Sequence, residues 1–289
     1  MFPYKFGWIP DYKDFRDYTS TTDEVKNLVE ASGVNFSLST TAKQVDLRSF
    51  CSPIVDQGDL GSCTANAGVG IVEFHERKAT NNQKYVVMSR LFLYKITRKF
   101  LKLTGDSGAS LRATIASLVL FGVPPEEYYP YKISSFDDEP PAFCYAFAQN
   151  YQTLKYLRLD PSGQSSDKTL NLILAYLRAG FPSIFGFTCY SSLDDAETNG
   201  GLIPFPANQE DVVGGHAIMA VGYDTEKVIV NPRDGNKQVG ALLIRNSWGR
   251  SWGERGYGWL PFQYVLEELA NDWWTVLKQE WVDLSQFRE

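Results

Sequence analysis

Apolar residues recur at helical spacing in the first half of this chain and at strand spacing in the second. Between residues 45 and 150 they return every three or four positions over 62–79, 89–100 and 111–121. The last of these runs meets Gly122 and Pro124, which stop a helix. After Tyr151 the runs shorten, and 152–159, 182–189, 214–223, 228–231 and 241–246 read as strands separated by Gly, Pro and Asp-Gly turns. One helical stretch, 166–179, interrupts them. Helices first and strands second predict an α+β fold, with a mainly helical half at 46–150, a mainly β half at 151–289 and a cleft where they meet.

Residues 1–45 form an N-terminal extension. Its first part carries Phe2, Tyr4, Phe6, Trp8, Ile9, Tyr12, Phe15 and Tyr18, too apolar a set to hang free. Packing on the domain is expected, either as a structural strap or as a short pro-segment that crosses the cleft and blocks it. The second part is rich in Ser and Thr like a linker, with a short helix expected at 23–31 on Val25, Leu28 and Val29. From Phe262 on a helical pattern carries Trp273-Trp274, expected to close the core, with Trp281 and Phe287 in a tail.

Composition narrows the function. The 289 residues are 44% hydrophobic and 21% charged, ordinary for a globular chain, with a net charge of −6. An acidic chain without a run of Lys or Arg is not built to neutralise phosphates, so nucleic acid is not an expected partner. Apolar stretches such as 115–123 fall far short of the roughly 18 residues a membrane span needs, so none is expected. The start, Met1-Phe2-Pro3-Tyr4-Lys5-Phe6, lacks the layout of a cleaved secretory signal, so a cytoplasmic location, or export without such a signal, is expected. Four cysteines (Cys51, Cys63, Cys144, Cys189) are too few for a disulfide framework and suggest free thiols. Cys51, Cys63 and His75 lie twelve apart, whereas zinc ligands come in tight pairs, so neither metal nor cofactor is expected.

The chemistry concentrates in three segments. In Gln57-Gly58-Asp59-Leu60-Gly61-Ser62-Cys63-Thr64-Ala65 a Gly-containing loop runs into an Ala-rich helix, with Ser62 placed to cap it. Cys63 at a helix N-terminus is favoured as thiolate, although an ordinary buried cysteine is the commoner case. A thiolate nucleophile needs a base, and the chain has two histidines. His75 lies twelve residues along the same helix, roughly 18 Å away at 1.5 Å per residue, and with its charged neighbours reads as a solvated helix end. His216 opens an apolar strand after Gly214-Gly215, a place for a satisfied core residue or for a proton shuttle. In Ala241-Leu242-Leu243-Ile244-Arg245-Asn246-Ser247-Trp248-Gly249 a second strand ends in an amide that can accept the other imidazole N–H. Pairing His216 with Asn246 in a hairpin centres the turn near Asn231-Pro232, where turn residues stand, allowing for a bulge at 224–226.

These segments resemble the papain family of cysteine peptidases, in the order Gln57, Cys63, His216, Asn246, with Val45-Asp46-Leu47-Arg48 similar to the start of a mature domain. The wording Ser52-Pro53-Ile54-Val55-Asp56-Gln57-Gly58 and Gly61-Ser62-Cys63-Thr64-Ala65-Asn66-Ala67 most resembles the compact bacterial xylellain-like branch. The resemblance implies a papain-like fold and a peptide or protein substrate. It makes Cys63 the nucleophile, His216 the acid and base, Asn246 its orienter, and Gln57 with the Cys63 N–H the oxyanion hole. Trp248 would shield the pair, Ser107 and Gly108 would offer a backbone ledge, and Gly186, Gly215 and Ala217 would line a roomy apolar substrate pocket. Leu60 and Thr64 stand where the family has Cys and Trp, which removes the usual disulfide of the active-site loop. Transglutaminase or amidase chemistry on the same scaffold, or a silent binding role, are the rivals.

Overall fold

A computed structural model describes residues 4–35, 42–82 and 85–280. In chain order the elements are α1 (Asp23–Ala31), β1 (Gln44–Asp46), α2 (Cys63–Ala79), α3 (Arg90–Phe100), α4 (Leu111–Leu120), α5 (Ala142–Ala148), β2 (Gln152–Arg158), α6 (Ser166–Arg178) and β3 (Ser183–Tyr190). There follow α7 (Asp195–Thr198), β4 (Val212–Val230), β5 (Lys237–Arg245), β6 (Tyr257–Pro261), α8 (Gln263–Leu266) and β7 (Ala270–Glu280). Helices dominate the first half and an antiparallel sheet the second, an α+β architecture. The sheet runs β2-β7-β3-β4-β5-β6, with β1 added on β4.

Alternation along the strands divides the interior in two. Ala217, Met219 and Val221 face one core with α2, α3 and α4; Ile218, Ala220 and Tyr223 face another with α1 and α6. Trp273 and Trp274, adjacent on β7, close one core each. Ser89 and Ser110 cap α3 and α4 by accepting the N–H groups of Phe92 and Ala113.

Several expectations change. The segment after Phe262 forms only a four-residue helix and then the long strand β7. Strands 214–223 and 228–231 are one strand, β4, irregular between Asp224 and Val228. The β4–β5 turn falls at residues 231–236, and its register drifts at Ala220/Gly222 as well. Ser62 does not cap α2 with its side chain; its Oγ pairs with the Tyr131 hydroxyl, 2.6 Å away. The charged end of α2 is not a solvated face. Glu73 and Glu76 are buried and accept the N–H groups of Met88 and Val86, each at 3.0 Å, which ties the following loop to the helix.

The extension is heterogeneous. Val25 and Val29 of α1 are fully in the core, and the boundary expected after residue 45 falls inside β1, which pairs with Gly222–Asp224 of β4. Trp8 is buried, whereas Tyr12 and Phe15 are 93% and 95% exposed, against the expectation that every aromatic there packs down. Phe2, Trp281 and Phe287 lie outside the described residues.

Candidate active site

Helix α2 begins at Cys63, on strand β4 lies His216, and Asn246 follows the last residue of β5. Contact between α2 and β4 joins the two halves of the molecule at this point. The backbone N–H groups of Ala217, Gly7, Thr64 and Cys63 itself favour the charged form of the Cys63 sulfur, and Ala217 is the residue after His216. All of Cys51, Cys63, Cys144 and Cys189 are buried, unpaired thiols.

His216 Nε2 lies 2.8 Å from Asn246 Oδ1. The same Oδ1 accepts the Ser247 N–H at 2.8 Å, which fixes the amide orientation and puts the imidazole proton on Nε2. His216 Nδ1 is thereby left with its lone pair, buried and without a hydrogen-bond partner. Trp248 stacks on the imidazole with centroids 4.3 Å apart and planes 19° from parallel, covering the His216–Asn246 bond.

Gln57 is completely buried, and its N–H donates to the Ser247 carbonyl. Ser247 Oγ donates to Gln57 Oε1 at 2.7 Å, so the amide NH2 points the other way. Gln57 Nε2 donates to the Leu60 carbonyl at 2.8 Å and to the Lys5 carbonyl at 3.0 Å. Lys5 belongs to the extension, which runs through the whole site. Tyr4 stacks on Trp248 at 4.2 Å, and Phe6 meets His216 and Trp248 edge-on. A Cβ on Gly7 would lie 1.9 Å from the Gly61 carbonyl oxygen, so only glycine crosses there.

Trp8 fills the pocket expected for substrate side chains. Its N–H donates to the Gly215 carbonyl at 3.1 Å, and its ring lies on Gly186, where a Cβ would come within 1.9 Å of it. Ala217, buried, packs in the same core cluster as Trp8. The ledge of 107–109 also meets the extension, but through a different residue from those expected. Ala109 donates to the Gly7 carbonyl at 2.8 Å and accepts from Ile9 at 3.0 Å, while Ser107 Oγ turns back onto the Gly108 carbonyl and Gly108 packs against Gly7.

Burial sets the protonation states. It pushes the Cys63 thiol up to about 11 against the pull of the surrounding N–H groups, and the His216 imidazole down to about 4 against its bond to Asn246. The covered pair is therefore thiol and neutral imidazole at neutral pH, although the helix N-terminus alone favours thiolate. The other histidine, His75, is also pushed down to about 4, its Nε2 buried beside Phe74 and Phe181, and it takes no part here.

Three residues escaped sequence reasoning. Ser247 orients both amides. Asp272 accepts Trp8 Nε1 at 3.3 Å, placing a carboxylate, raised to about 6 by burial, in a pocket expected to be apolar. Asp106 accepts the Gly61 N–H at 2.9 Å and pairs with Lys5 at 3.2 Å. Only Ser247 had a signal, its place between Asn246 and Trp248.

The family model for papain family cysteine proteases matches residues 41–264. An uncharacterized peptidase C1-like protein of Acanthamoeba polyphaga mimivirus is 32% identical over 280 residues, which cover 94% of this chain and 86% of that one. The thiol protease aleurain of Arabidopsis thaliana is 28% identical over 71% of this chain, and the match spans about half (51%) of aleurain. Among solved structures, xylellain, a cysteine protease from Xylella fastidiosa, matches at a TM-score of 0.73 and 32% identity over 96% of both chains. Procathepsin L 3 of the Tenebrio molitor larval midgut, at 22% identity and a TM-score of 0.61 over 84% of this chain and 72% of that one, shares the fold.

Proposed function

Since the chain belongs to the papain family of cysteine proteases, we propose that it is an endopeptidase acting on peptides and proteins through a Cys63 thioester, and that residues 4–9 hold it latent. In the open cleft His216 Nδ1 takes the thiol proton, and the sulfur attacks the peptide carbonyl carbon. The carbonyl oxygen gains negative charge between Gln57 Nε2 and the Cys63 N–H. His216 returns the proton to the departing amine, leaving the acyl group on sulfur. Water then attacks the thioester, its proton passing to His216, and Cys63 leaves as the acid product departs. Asn246 keeps the imidazole in the required tautomer throughout.

The observation that carries latency is the Lys5 carbonyl on Gln57 Nε2, where the oxyanion would sit. The direction of the chain explains why this segment blocks the cleft without being cut. His216 must protonate the leaving amine, so the C-terminal part of a substrate lies over His216 and Trp248. The extension places its N-terminal residues there, Tyr4 and Phe6, and its later residue Trp8 on Gly186. A bond held over Cys63 in that direction presents its amine away from His216.

The test is hydrolysis of a fluorogenic peptide amide under reducing conditions by the full chain, by Phe6→Ala/Trp8→Ala and by Cys63→Ala. Hydrolysis by the double variant at least tenfold above the full chain, and none by Cys63→Ala, is expected. Equal rates for the first two would remove the latency, and silence of both, when folded, would remove the peptidase.

A further inference from the structure

The aim of the Gln57 amide depends on one peptide group, that between Leu60 and Gly61. Its carbonyl accepts Gln57 Nε2 at 2.8 Å and the Ser62 N–H at 2.7 Å. One proton of the Gln57 NH2 is thereby committed to Leu60, and the other is turned to the place where Lys5 now puts its carbonyl. Rotation of the peptide would swing the Leu60 carbonyl away, and Nε2 would lose the acceptor that aims it. The glycine on one side of this peptide makes such a rotation easy.

The N–H of the same peptide faces the other way, onto Asp106. Both carboxylate oxygens are within reach, Oδ1 at 2.9 Å and Oδ2 at 3.2 Å. Asp106 is fixed in its turn. The Tyr94 hydroxyl, from α3, donates to Oδ1 at 2.5 Å and accepts the Gly108 N–H at 3.1 Å. The Tyr94 ring is fully buried, with the Arg98 guanidinium 4.3 Å from its centroid, and Arg98 also bonds the carbonyl of Gly105, the residue before Asp106. Tyr131 holds the two ends of the loop, donating to the Gln57 carbonyl at 2.9 Å and pairing with Ser62 Oγ. Its middle has no covalent tie, since all four cysteines are unpaired, and is held by the Asp106 carboxylate.

We propose that Asp106 is a positioning residue of the oxyanion hole: through the Gly61 N–H it keeps the Leu60 carbonyl on Gln57 Nε2, and so keeps the second Nε2 proton aimed at the charge that develops on the substrate oxygen. It touches no reacting atom itself. Ser247 holds the oxygen end of the Gln57 amide, and Asp106 holds the nitrogen end through one intervening peptide. The ion pair of Asp106 with Lys5 belongs to the closed cleft and goes with the extension, whereas its bond to Gly61 lies within the body of the enzyme. The inference rests on the peptidase activity proposed above.

The Phe6→Ala/Trp8→Ala chain serves as the parent for Asp106→Ala, Asp106→Asn and Tyr94→Phe. Two reactions are followed: hydrolysis of a fluorogenic peptide amide, and alkylation of Cys63 by iodoacetamide, which attacks a saturated carbon and develops no oxyanion. Removing an oxyanion donor outright costs on the order of 10² to 10³ in kcat, so a donor kept but loosened by Asp106→Ala should cost about tenfold, with KM and the alkylation rate little changed. Asp106→Asn keeps an Oδ1 that can accept both the Gly61 N–H and the Tyr94 O–H, and should stay within about threefold of the parent. Tyr94→Phe keeps the buried ring, frees the carboxylate, and should lower kcat in the same direction by a smaller factor. If circular dichroism shows Asp106→Ala unfolded, Tyr94→Phe decides, a kcat equal to the parent's overturning the inference. Asp106→Ala as fast as the parent, a loss shared by alkylation, a raised KM with kcat kept, or Asp106→Asn as slow as Asp106→Ala also overturns it and leaves the peptidase standing. If the parent hydrolyses nothing, the peptidase reading falls and this inference falls with it.

Discussion

Ser247 orients two amides at once: its hydroxyl donates to Gln57 Oε1 and its N–H to Asn246 Oδ1. Without the hydroxyl, Gln57 Oε1 becomes a buried acceptor lacking this donor, and the amide is oriented from its NH2 end alone, by the Leu60 carbonyl. In the Phe6→Ala/Trp8→Ala background, Ser247→Ala is expected to lower kcat about tenfold, or about 1.4 kcal/mol of transition-state stabilisation, with KM little changed. Ser247→Thr, which keeps the hydroxyl, should restore most of it. A merely structural role would instead change folding stability alike for Ala and Thr or raise KM. The residue is a positioning group, because it reaches the reacting atoms only through Gln57 and Asn246.

At the scale of elements, the extension divides at its middle. Residues 4–9 cover the cleft, whereas α1 buries Val25 and Val29 in the second core and Gln44 and Val45 form most of β1. Burying two valines stabilises the fold by about 3–6 kcal/mol. A chain beginning at residue 46 should therefore melt on the order of 10 °C below one beginning at residue 17, by calorimetry or circular dichroism. Equal melting would show that α1 adds nothing. The same elements show what the sequence made legible. The helices α1 to α4 and α6 stand where helical spacing put them, although α2 is buried on all sides from Cys63 to Phe74. Strand β7 was read as helix because Trp273 and Trp274 each enter a different core, and apolar burial on both faces erases the alternation that marks a strand. Cys63, His216 and Asn246 stand out through local patterns of glycine and strand ends, and Gln57 only through the family resemblance. Asp106 and Asp272 had none, since an isolated acid acquires its role only from what the fold brings against it.

For the whole molecule, the closed cleft and the chemistry of Cys63 are one equilibrium. With the extension in place burial raises the thiol from 9 to about 11, so at pH 7.5 the thiolate fraction is about a hundredfold below that of an ordinary cysteine. A raised value means the closed state favours the protonated thiol. That preference is fully present below the pKa of the open state and is lost as pH rises toward 11, so alkali loosens the extension. Iodoacetamide should accordingly label Cys63 of the full chain slowly at pH 7.5, with a rate climbing steeply between pH 9 and 11. In the Phe6→Ala/Trp8→Ala chain Cys63 regains water, and the unopposed N–H groups of Thr64 and Ala217 favour thiolate beside His216. Its labelling at pH 7.5 should be at least a hundredfold faster, and the pH profile should move to lower pH. Peptide mapping separates label on Cys63 from any on Cys51, Cys144 and Cys189, which are buried as well. If both chains label alike at every pH, the extension does not control the nucleophile. A difference by the same factor at every pH, with the profile unmoved, would instead mean that it shields the sulfur sterically while leaving its proton affinity untouched.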